Sequence, residues 1–121
     1  MKTFVFLASM MLVSCSMAPP AREEAPRAAV VAGWPTIPPE AKFGQVSAVD
    51  VDTQGRVYVL HRAGREWSEP FPEEPIAEPT VFVFDGATGK LLKQWGAGQF
   101  IMPHGLSIDP AGKVWITDVG R

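Results

Sequence analysis

The chain has 121 residues, room for one small domain, and a formal net charge of −2 from 11 basic and 13 acidic residues. No basic patch or stripe accompanies that balance, which argues against a nucleic-acid partner. Cys15 is the sole cysteine, so an intrachain disulfide and a cysteine-based zinc knuckle are both excluded.

Lys2 and the apolar run Phe4 to Val13 read as the n- and h-regions of a signal peptide over residues 1–14. At ten residues the run is too short for a spanning helix, which needs about 20. Leu12-Val13-Ser14-Cys15 then resembles a bacterial lipobox, with Cys15 as the lipidated residue. Several acyl chains on one N-terminus give stable membrane attachment where a single chain is marginal. The expectation is an exported protein, lipid-anchored at the cell envelope on the periplasmic face or cell surface. Residues 15–42 are rich in alanine and proline, and prolines 19, 20, 26, 35, 38 and 39 forbid a continuous helix. They read as an extended tether, whose last part, Gly33 to Pro39, carries Trp34 and Ile37 as apolar residues available to the fold.

From residue 43 the texture changes to that of an all-β domain. Val46–Asp52 alternates apolar with small or polar residues, the period-two sign of a strand. Thr53-Gln54-Gly55 is a turn, and Arg56–His61 is a second strand rich in β-branched and aromatic residues. Residues 63–79 form a long polar loop with four prolines and five glutamates. Thr80–Phe84 is a third strand, Asp85-Gly86 opens a hairpin turn, and Leu91–Trp95 is a fourth, edge-like strand.

The pattern then restarts. Leu106–Thr117 matches Val49–Leu60 in register, repeating an aspartate, a glycine, a basic residue, a valine and an aromatic. A repeated strand–turn–strand unit is the mark of a propeller or solenoid. The reading is one four-stranded blade and half of the next, a β-propeller truncated to about one and a half blades over residues 43–121. A small open sheet is the alternative, disfavoured because a free-standing blade has two exposed edges and little core.

Few residues can carry chemistry. His61 ends the second strand, and His104 sits in Met102-Pro103-His104-Gly105-Leu106, where a loop enters the innermost strand of the second unit. In a propeller that strand lines the central channel. Two histidines do not make the three protein ligands of a catalytic zinc. Arg62 is either a surface ion pair with Glu66, Glu69, Glu73, Glu74 or Glu78, or a guanidinium fork for a substrate carboxylate. Composition does not choose between these.

Residues 44–67, GQVSAVDVDTQGRVYVLHRAGREW, and 100–119, FIMPHGLSIDPAGKVWITDV, joined by the TVFVFD hairpin, resemble the peptidyl-α-hydroxyglycine α-amidating lyases, whose fold is a six-bladed propeller of NHL type. The resemblance covers residues 34–121, the first part of that domain. It implies cleavage of a peptidyl-α-hydroxyglycine to a peptide amide and glyoxylate, with a peptide-like or small-molecule substrate. It also implies a channel zinc that polarises the carbinol oxygen, and a structural calcium. By resemblance, His104 is the first zinc histidine and Arg62 the catalytic arginine near the substrate. Val49 and Leu106 lend main-chain carbonyls to calcium, and Trp67 shapes the loop after the arginine. The family's HRG reads His61-Arg62-Ala63 here. The remaining zinc histidines, a tyrosine base, a second arginine and a calcium aspartate are expected beyond Arg121, so that the fragment alone is expected to be inactive. The alternative is a non-catalytic NHL-type propeller serving as a binding scaffold at the cell envelope.

Overall fold

A computed structural model describes residues 27–120. The signal peptide, the lipobox and Cys15 lie outside the described residues. Residues 28–30 have no regular secondary structure and are exposed. Residues 31–120 carry the fold, and among the described residues it is all-β, with six strands in two antiparallel sheets.

The first sheet is an up-and-down meander of β1 (Val46–Val51), β2 (Arg56–His61), β3 (Val81–Asp85) and β4 (Leu91–Trp95), in that order. The second is the hairpin of β5 (Pro103–Ile108) and β6 (Val114–Asp118). This agrees with a four-stranded unit followed by the opening of a like one.

The repeat extends to individual hydrogen bonds. In the β1–β2 turn the Asp52 carboxylate accepts from the backbone N–H groups of Gln54 and Arg56, each at 2.9 Å. In the β5–β6 turn Asp109 accepts from Ala111 and Lys113, again at 2.9 Å. An aspartate of this kind mimics a backbone turn with its own side chain. Gly55 and Gly112 follow at φ 74° and 80°, a conformation that a Cβ disfavours. The register of each hairpin slips at the same place, between Val46 and Ala48 and between Pro103 and Gly105. Ser47 and His104 therefore occupy equivalent bulges, and bulges re-aim side chains.

Both faces of the first sheet are used. Val59, Phe82 and Phe84 point to one face, where Trp34, Ile37, Ala41 and Phe43 pack on them. Phe82 and Phe84 are almost wholly buried, and each such side chain stabilises the fold by about 2–3 kcal/mol. The segment before β1 is thus a lid on the core. The Trp34 indole donates to the Gly86 carbonyl at 3.2 Å, and the Thr36 N–H to Gly89 at 2.9 Å. The opposite face carries Leu60, Val81 and Val83, also buried. There β5 lies against β1 and β2, and Asp50 of β1 accepts from the Ile108 N–H of β5 at 2.7 Å. That bond spans the two sheets, so it sets where β5 sits.

The long loop is pinned rather than loose. Ile76 is buried, its N–H donates to the Phe100 carbonyl at 2.7 Å, and its own carbonyl accepts from Gly98 at 2.8 Å. Arg65 donates to the Glu74 carbonyl at 2.8 Å, and Lys42 pairs with Glu78 at 2.6 Å. Ile76 thus holds the loop beside residues 98–100, the approach to β5, while the other two contacts close the loop on itself and on the segment before β1.

His61 is fully buried between Phe43 and Phe82, with ring centroids 4.6 and 4.4 Å away. Its Nδ1 accepts from the Ala63 N–H at 3.1 Å, leaving the proton on Nε2, which has no partner. Burial pushes its pKa down from 6.5 to about 4. The folded protein therefore binds the His61 proton less readily than the unfolded chain. The stabilisation is complete above about pH 6.5 and is lost as pH falls towards 4, where it levels off. At 1.36 kcal/mol per unit the loss is about 3 kcal/mol. Urea melts at pH 7, 5.5 and 4.5 should show a progressive drop in midpoint, and His61→Phe should flatten it. Asp85 is held below its usual range by Thr88, and Asp109 by the Lys113 N–H and the Trp115 indole.

Candidate metal and substrate site

Arg62 leaves β2 at a forced turn. Its N–H donates to the Gln45 carbonyl at 2.9 Å, which continues the β1–β2 ladder by one bond. The next residue, Ala63, takes φ 48°, a left-handed conformation that L-residues adopt at a cost of about 1 kcal/mol. Ala63 stands where the resemblance implies a glycine, and the turn is kept with the strain accepted. Across from it, a Cβ on Gly44 would lie 1.3 Å from the Ala63 carbonyl oxygen. Only glycine permits that approach, so the Gly44-Gln45-Val46 start of β1 and the His61-Arg62-Ala63 end of β2 form one unit.

The turn sends the Arg62 side chain toward the second sheet. The guanidinium is buried; its Nε donates to the Pro103 carbonyl at 3.1 Å and one terminal nitrogen reaches His104 Nδ1 at 3.2 Å. The Trp67 ring covers it, with 5.7 Å from the guanidinium carbon to the ring centroid, and Trp67 packs on Phe71 at 5.3 Å. Cation–π contact of this kind holds the planar fork in one orientation. Arg62 is thus committed to Pro103 and His104 rather than to the loop glutamates, which removes the surface ion-pair reading.

His104 lies on β5 at the bulge, exposed to solvent. Val49 and Leu106 occupy equivalent places on β1 and β5, paired with Val59 and Ile116 respectively. No group of three histidine, cysteine or carboxylate side chains suited to a metal occurs among the described residues. His61 is walled off in the core and takes no part in the site.

Two residues essential to this geometry were not legible as such in the sequence. Asp118 accepts from the N–H groups of Ile101 at 2.7 Å and of Met102 and Gly120 at 2.8 Å, fixing the approach to His104. Asp50 ties β5 to β1. For Asp118 a signal exists: in the repeat it stands where His61 stands, and both accept from the N–H two residues on.

Comparison with known proteins bears on this pair. No family model matches the chain. It is 45% identical over 104 residues to peptidyl-alpha-hydroxyglycine alpha-amidating lyase 2 of Drosophila melanogaster, a match covering 78% of this chain and 25% of the relative. It is 38% identical over 90 residues to the probable peptidyl-alpha-hydroxyglycine alpha-amidating lyase pgal-1 of Caenorhabditis elegans, over 68% of this chain and 26% of that protein. The chain belongs to the peptidyl-α-hydroxyglycine α-amidating lyase family. The family also reaches into larger proteins: peptidyl-glycine alpha-amidating monooxygenase B of Xenopus laevis is 36% identical over 96 residues, 71% of this chain and 11% of that protein. The chain spans about a quarter of the length of the two lyase relatives named.

Proposed function

We propose that this chain forms the opening part of an NHL-type six-bladed propeller that cleaves a peptidyl-α-hydroxyglycine, or a related carbinolamide, to an amide and glyoxylate. The observation that supports it most directly is the contact between Arg62 and His104, which lie in the two separate stretches that resemble the lyases. Exposed Val46, Val49 and Val51 on β1, and Trp115 and Val119 around β6, support the propeller. They are apolar surface that neighbouring blades would cover, as stacked repeats require.

In this reading the glyoxylate half of the substrate carries a carboxylate, and the Arg62 fork, held flat by Trp67, receives it. The C–N bond breaks, its electron pair and a proton go to the amide nitrogen, and the hydroxyl loses a proton as it becomes the aldehyde oxygen of glyoxylate. Zinc, when bound, supplies the Lewis acidity that eases loss of the hydroxyl proton. An imidazole such as His104 suits that metal, and its exposure leaves Nε2 open, so the residue fits as one ligand of a centre whose other ligands come from outside the described residues. The Val49 and Leu106 carbonyls would serve a calcium, a hard cation that takes oxygen. In the same reading, residues 1–14 act as a signal peptide and lipidation of Cys15 anchors the protein at the cell envelope.

The test is release of glyoxylate and peptide amide from a synthetic peptidyl-α-hydroxyglycine by the full-length protein, abolished by chelation and restored by zinc. Zinc-loaded protein that forms neither product overturns the reading. Arg62→Lys should raise KM about 10–100-fold with zinc content unchanged, because an ammonium does not reproduce the bidentate fork.

A further inference from the structure

We propose that metal binding at His104 and the Arg62–His104 hydrogen bond exclude each other, so that loading the metal frees the guanidinium for substrate. The inference rests on the zinc reading above and on the chemistry of two nitrogens. A guanidinium has donors only. The Arg62 terminal nitrogen, 3.2 Å from His104 Nδ1, therefore donates, and Nδ1 holds a lone pair towards it. In the neutral ring the proton is then on Nε2. A metal takes a nitrogen lone pair, and a histidine ligand ordinarily gives its remaining N–H to an acceptor. Metal at Nδ1 takes the lone pair that Arg62 uses. Metal at Nε2 sends the ring proton to Nδ1, where it meets the N–H of Arg62, donor against donor. Either route breaks the bond.

Little else moves. The Arg62 Nε stays anchored on the Pro103 carbonyl and the ring of Trp67 stays over the plane. Only the terminal nitrogen is released, and a carboxylate is its natural acceptor. Metal and substrate carboxylate then favour each other's binding, since each removes a competing contact from the other's partner.

The experiment titrates Zn²⁺ alone into full-length wild type and Arg62→Met, read by competition with a chromogenic chelator. Arg62→Met should bind zinc about tenfold more tightly, because the metal then displaces no competing hydrogen bond from His104. Equal or weaker zinc binding in Arg62→Met, with lyase turnover present in the wild type, overturns the inference and leaves the function standing. Absence of zinc binding in both proteins overturns the function and the inference together. Should Arg62→Met fail to fold, long-range ¹H–¹⁵N spectra of the wild-type histidines decide. Metal-free protein should show His104 protonated at Nε2 and hydrogen-bonded at Nδ1, and zinc should abolish the Nδ1 bond. An Nδ1–H signal before zinc is added refutes the proposal.

Discussion

His104→Ala is expected to strip zinc from the full-length protein and to lower turnover by at least about 100-fold, while leaving the fold intact. Changes to residues that merely orient a ligand already cost 10–100-fold, and here a ligand itself is removed. The fold survives because the imidazole is exposed and its polar contact is with one terminal nitrogen of Arg62, whose Nε stays bonded to the Pro103 carbonyl; losing that contact costs about 1–3 kcal/mol. Metal analysis after dialysis, with urea melts of the same samples, separates the two effects. Stoichiometric zinc in His104→Ala would remove His104 from the metal, and a collapsed melt would show that the residue serves the fold instead.

The local pattern carried much of this architecture. Alternation at Val46–Val51 and in Arg56–His61, and the Asp-Gly signal after Phe84, specify strands and turns from neighbours alone, and those two strands join Val81–Asp85 and Leu91–Trp95 in the four-stranded meander. The repeat of Asp52-Thr53-Gln54-Gly55 as Asp109-Pro110-Ala111-Gly112 extends to identical turn hydrogen bonds, because an aspartate cap acts within four residues and needs no distant partner. The fork of Arg62 was harder to read. Its choice between loop glutamates and β5 depends on how the two sheets dock, which Asp50 and the buried face around Leu60 decide, and no local pattern reports docking. Likewise His61 and His104 look alike as lone histidines. One closes a core strand among phenylalanines and the other sits on an exposed bulge, and only the strand register separates them. The Ala-Pro segment before Phe43 is a similar case. Its prolines say only that it is extended, while Trp34 and Ile37 make part of it a core lid.

Asp118→Ala is expected to be the most destabilising polar substitution at the site, costing about 3 kcal/mol or more. Its carboxylate receives three backbone N–H groups, two of them from Ile101 and Met102, both buried. Truncation leaves those donors without an acceptor, and each orphaned buried donor costs about 1–3 kcal/mol. Water does not repair the loss at Met102, which is fully enclosed. Asp118→Asn keeps one carbonyl oxygen and should fall between wild type and alanine. The consequence reaches the site because Met102 is two residues from His104, and its carbonyl accepts from Val119 at 3.1 Å. Once residues 101–102 are released from β6, Pro103 no longer presents its carbonyl to Arg62 at a fixed place. Asp118→Ala should therefore lower the urea midpoint and zinc affinity together, whereas His104→Ala abolishes zinc binding with the smaller midpoint change of a single lost hydrogen bond. An Asp118→Ala protein with a wild-type midpoint would mean that the three N–H groups find other partners and that the bulge bearing His104 is set elsewhere, by Asp50 and the β5–β6 turn.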